Sequence, residues 1–117
     1  MGACTWNRYE DVQRSGDDAA PRYRLRLTQG ESKHPGDYPV GPEGVAIKWD
    51  AAAKPAEVRC SRTAPWAAID GYAGTLALNP QGMSGTMQAL ANLYFATCHG
   101  QYGNDAELAR RHGYDVR

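Results

Sequence analysis

The sequence is short of several things at once. Its 117 residues hold three cysteines, Cys4, Cys60 and Cys98, with no C-x-x-C pair among them. An odd, widely spaced set excludes a disulfide-dense scaffold, and reduced thiols in a cytoplasmic protein are the expectation. Cys60 and Cys98 then read as core fillers, since cysteine is among the most buried residue types. No run of about 18 apolar residues exists, which excludes a membrane-spanning helix. The start, from Met1 to Arg8, lacks a basic region followed by an apolar one, so no secretory leader is expected. Gly2 invites myristoylation, but Trp6 stands where that motif wants Ser or Thr.

Net charge is also missing. Thirteen basic and thirteen acidic side chains cancel, which argues against the overall basic footprint of most nucleic-acid binders. The cancellation hides an asymmetry: residues 63–104 contain no Lys or Arg and one carboxylate, Asp70. Such a stretch reads as core or as a covered interface, because charge is depleted at both. Phenylalanine is nearly absent, with one Phe against seven Tyr and three Trp, so most rings keep a polar handle.

What is present fits one domain, residues 1–117, with 42% apolar residues to build its core. Residues 1–21 mix polar groups with Gly16, Asp17, Asp18 and Pro21, and the expectation is an irregular N-terminal arm or a short helix. Tyr23 to Thr28 alternates apolar and polar residues, the signature of a half-buried strand. Four glycines and three prolines break residues 30–44. Val45–Trp49, Glu57–Arg62 and Gly74–Leu78 read as further strands, while Ala67–Ile69 fits either a strand or a helical turn. Met83 to His99 reads as a helix. At 100° per residue, Met83, Met87, Leu90, Tyr94 and Cys98 form a stripe toward the sheet, leaving Phe95 on the other side. Gly100 and Gly103 stop it. Asn104, with Glu107 three residues later, opens a second short helix that ends at Gly113. The expected fold is α+β: a small, mainly antiparallel sheet of about four strands, with C-terminal helices packed on one face.

Three surface features are candidates for partner binding. Alternation puts Arg22, Arg24 and Arg26 on one strand face, and Lys48 and Arg59 are expected to join them there. Their guanidiniums suit carboxylates or phosphates, while Asp50 and Glu57 supply the alternative of internal pairing. Tyr38 in the rigid loop His34–Pro39, and Tyr102, are exposed aromatic anchors. Phe95 and His99 are expected to pack on the last helix or on a second copy in a homodimer.

Catalytic patterns are absent. Gly82–Gly85 and Gly100–Gly103 lack the Lys-Ser/Thr of a phosphate-binding loop, and Ser84 lacks a G-x-S-x-G context. No His or Cys pair has zinc spacing, so no metal, cofactor or catalytic residue is expected. A Cys98 enzyme would need His34 or His112 brought to it by the fold. The leading expectation is a small interaction protein that sterically blocks a larger protein partner. In size and missing motifs it is like phage- and mobile-element-encoded inhibitors, an analogy without residue support. The alternative is nucleic-acid binding by the basic sheet face.

Overall fold

A computed structural model describes residues 2–34, 36, 43–82 and 85–116. Its first two strands are the longest: β1 (Gly2–Ser15) and β2 (Arg22–His34) form an antiparallel hairpin. Gly16, at φ 81°, opens the turn, and the Asp17 carboxylate accepts from the Ala20 N–H to close it. The expected irregular arm or short helix is therefore a strand. Its sequence hid this because β1 is an edge with solvent over most of both faces; only Cys4, Trp6, Tyr9 and Glu10 are half-buried, so no alternation is legible. A bulge between Glu10 and Gln13 carries Asp11 at φ 53° and turns Val12 outward.

The sheet continues with β3 (Lys48–Trp49), β4 (Lys54–Arg59), β5 (Trp66–Ile69) and β6 (Tyr72–Thr75), all antiparallel. Their order is β1-β2-β4-β5-β6, with β3 paired to the far end of β2, so the described residues form six strands rather than about four. Asp70 and Gly71 join β5 to β6 with φ of 50° and 86°, both positive as a two-residue hairpin turn of the primed type requires. That pair decides Ala67–Ile69 in favour of a strand. Two expected strands are trimmed: only Lys48–Trp49 of residues 45–49 pairs, and β6 ends before Leu76 and Leu78 plunge into the core.

A short 3-10 turn (Gly85–Met87) leads into α1 (Gln88–His99), and α2 (Asp105–His112) follows. The Asn104 side chain accepts from the Glu107 N–H at 3.1 Å, as the capping pattern requires, and Gly100 and Gly113 end the two helices in the left-handed region. Helix α1 lies on β4 and β5, burying Leu90, Leu93 and Tyr94 against Leu25, Leu27, Val58 and Ala67. Phe95 is buried too. It meets Tyr114 edge-on at 5.9 Å and stacks on His112 of α2 at 6.3 Å, so the buried arc of α1 is wider than one stripe.

The segment after α2 is tied to this core. The Asn79 amide donates to the Ala77 and Val116 carbonyls, and the Val116 N–H donates to the Leu78 carbonyl. Cys60, just after β4, is bonded to Cys98 near the end of α1, with Cα atoms 5.9 Å apart. The expectation of reduced core thiols is corrected there; Cys4 alone keeps a free thiol among the three.

Burial along β2 changes sides. Leu25 and Leu27 face α1, whereas Thr28, Gly30 and Ser32 are buried on the opposite face. Ile47 and Trp49 cover that second face, while the Trp6 indole donates to Ser32 Oγ at 2.7 Å. The sheet thus carries a large core beneath its helices and a small one on the other side at the far end of the hairpin.

Candidate functional site

Between the small second core and the turn of the hairpin, the helix-free face of the sheet is open. Alternation on β2 sends Arg22, Arg24 and Arg26 to this face, and all three are exposed. Cross-strand register then sets out its rows. Arg22 lies between Ser15 and Arg59, with Trp66 and Thr75 beyond; Arg24 lies between Gln13 and Glu57, with Ala68 and Ala73 beyond. Arg26 lies between Glu10 and Pro55.

Arg59 is held by its neighbours. Its guanidinium sits over the Trp66 ring, 4.3 Å from the centroid, and reaches Glu57 Oε2 at 3.4 Å. Arg24 Nε meets the other oxygen of the same carboxylate at 3.5 Å, with its side chain 80% exposed. Glu10 pairs with Arg8. Among the described residues, Arg22 and Arg26 have no carboxylate at ion-pair distance. Shallow depressions mark the face. One, of about 380 Å³, is lined by Arg24, Pro55, Glu57, Ala68, Asp70 and Gly71. Another lies between the Asp11–Val12 bulge and Arg24 to Arg26, and a third is lined by Gln13, Ser15, Arg22, Arg24 and Glu57. Exposed guanidinium groups beside tryptophan, proline and alanine form a surface that can hold carboxylates.

The other expected binding residues lie elsewhere. Lys48 pairs with Glu31 and Trp49 with Gly30, so Trp49, not Lys48, shares the side of the arginines. The expectation that Lys48 extends the basic face is corrected: the register of β3 is set across a long Gly/Pro loop and could not be counted from sequence. Phe95 is 1% exposed and offers no surface to a partner or to a second copy. Tyr102 is 74% exposed in the loop between the helices, outside the strands that carry the arginine rows. Its neighbour Tyr9 has its hydroxyl pKa pushed up to about 12, first by burial and then by Tyr102. Tyr38 lies outside the described residues. Trp66 was missed in the sequence because its strand was unassigned; once Asp70-Gly71 is read as a turn, alternation places it beside Arg59.

A second polar cluster closes the helical side. The His99 and His112 rings stack at 4.0 Å, at the last residues of α1 and α2. His99 Nε2 and the Tyr114 hydroxyl are 2.8 Å apart, Tyr114 and Tyr94 hydroxyls 2.8 Å, and Tyr94 donates to the Ser61 carbonyl at 3.0 Å. Burial, then His112 and Arg62, hold the His99 pKa below its ordinary value, and burial raises those of Tyr94 and Tyr114. These groups are tied to one another rather than aimed into a cavity, and Cys98, bonded to Cys60, has no thiol to serve as a nucleophile. Among the described residues, no group of three or more His, Cys, Asp or Glu side chains could hold a metal ion. No helix among them is long and apolar enough to cross a membrane.

Comparison of the chain with protein-family models, with curated proteins and with solved structures finds no match.

Proposed function

We propose that this chain is a protein-binding module that acts by covering an acidic surface of a larger partner with the helix-free face of its sheet. The observation that carries the reading is the arginine array: Arg22, Arg24, Arg26 and Arg59 on adjacent strands, with Trp66 as a fixed aromatic anchor beneath one of them. Arginine and tryptophan are the side chains that dominate binding energy at such surfaces. Charge supplies orientation and encounter rate, and the tryptophan, proline and alanine beside it supply buried area. A blocking role fits charged and aromatic groups set out on an exposed sheet face.

Nucleic acid is the competing occupant. Weighing against it, Lys48 lies on the other side, so the basic array is smaller than a nucleic-acid face requires. The Cys60–Cys98 bond favours work in an oxidising compartment over the cytoplasm expected from cysteine number.

The test is a titration of the oxidised protein with a labelled oligo-glutamate peptide and, separately, a labelled single-stranded oligonucleotide. The peptide should bind, with affinity about tenfold weaker in the Arg24→Ala/Arg59→Ala double variant. Preference for the oligonucleotide, with affinity falling steeply as salt is added, would replace this reading with the nucleic-acid one.

A further inference from the structure

Glu57 is out of place on a surface built to receive carboxylates. It stands in the centre of the array, paired across the strands with Arg24 and two residues from Arg59 on its own strand. Each of its oxygens meets a different guanidinium, Oε1 to Arg24 at 3.5 Å and Oε2 to Arg59 at 3.4 Å. Both distances are longer than the 2.7–2.9 Å of a tight charge-assisted bond. Arg24 is 80% and Arg59 47% exposed, so water screens both pairs.

Arg59 has the Trp66 ring to hold it without Glu57. The Arg24 backbone is set by the long β2 strand, while its 80% exposed side chain has Glu57 as its ion-pair partner. Each guanidinium has five N–H donors, most of them unused by one loose contact. Beside Glu57 lies the depression bounded by Pro55, Ala68 and Gly71, with room for a second side chain. A carboxylate arriving there on a partner would bring its own apolar cover, lowering the local dielectric and strengthening its attraction to the arginines. It would also meet the Glu57 charge.

We infer that Glu57 is a built-in competitor: it occupies Arg24 and Arg59 in the free protein and yields them to a carboxylate of the acidic partner segment. This rests on the docking reading above. Its consequence is selectivity. A partner must present enough negative charge to displace Glu57, so a lone surface acid is rejected while a run of acids is held. Asp70, on the rim of the same depression, carries equal charge without contacting either arginine, and so serves as a control for net charge alone.

The experiment is the oligo-glutamate titration repeated with Glu57→Gln, Asp70→Asn and Arg24→Ala, each checked for folding by its amide NMR spectrum. Glu57→Gln keeps the shape and removes the charge; it should bind about three- to tenfold tighter than the parent. Asp70→Asn should gain clearly less. Equal gains for the two would reduce the effect to net charge and overturn the inference. Unchanged or weaker binding by Glu57→Gln, with Arg24→Ala still impaired, would make Glu57 a positioning group and overturn it too, leaving the docking reading intact. No peptide binding by the parent protein would sink both.

Discussion

Gly30 sits within the small second core, two residues past the point between Leu27 and Thr28 where the sheet exchanges its buried side. A Cβ built there would lie 2.7 Å from Ile47 Cγ2 and 2.7 Å from Trp49 Cε3, closer than side-chain atoms pack. The close approach of Trp49 to the β2 backbone is what seals the small second core, and Arg8 then lies over the outer face of that indole at 4.7 Å. Gly30→Ala should therefore push Trp49 away and cost about 1–3 kcal/mol of unfolding free energy, read by urea denaturation followed through tryptophan fluorescence. A change under about 0.5 kcal/mol, typical of surface sites, would contradict the packing described. At this scale the sequence was informative where the answer lay within one element. Arg22, Arg24 and Arg26 share a face because strand period is fixed, and no partner is needed to see it. Lys48 is misplaced by sequence because its surroundings are set by another element, the register of β3 against β2, whereas Phe95 packs on α2, one of the two settings expected for it.

Helix α2 was legible to the residue, since its stop and start signals are local: Asn104 with Glu107 at one end, Gly113 at the other. Strand β1 was not, because an edge strand in water has no buried face to write an alternation into its sequence. The two helices meet at the His99–His112 stack, and this contact responds to pH. The ordinary pKa of His99 is 6.5, and in the fold it is lowered by burial, by His112 and by Arg62. The folded protein thus binds fewer protons there than the unfolded chain. The stability His99 contributes is complete above about pH 6.5 and is lost progressively as pH falls toward its lowered value. Melting temperature should drop between pH 7.5 and pH 5, and His99→Gln, which keeps a polar contact to Tyr114 but cannot titrate, should show a shallower drop. Parallel pH slopes for the two proteins would contradict this account.

For the molecule as a whole, the uncharged run from residue 63 to residue 104 builds much of the main core: Ala67, Leu76, Leu78, Leu90, Leu93, Tyr94 and Phe95 all come from it. The charged half supplies the long hairpin and the arginines of the open face, to which the uncharged run adds Trp66 and Ala68. The Cys60–Cys98 bond ties the two halves across 38 residues, a closure that contributes about 3–4 kcal/mol by restricting the unfolded chain. Its pairing was invisible in a list of three cysteines, since only the docking of α1 against the end of β4 brings the two sulfurs together.

The central claim is that recognition happens on the helix-free face, and an NMR titration with oligo-glutamate tests it residue by residue. The account predicts shifts at the side-chain N–H groups of Arg22, Arg24, Arg26, Arg59 and Trp66, with α1 and α2 unmoved. Shifts confined to the helices or to Tyr102, or none anywhere at saturating peptide, would contradict it.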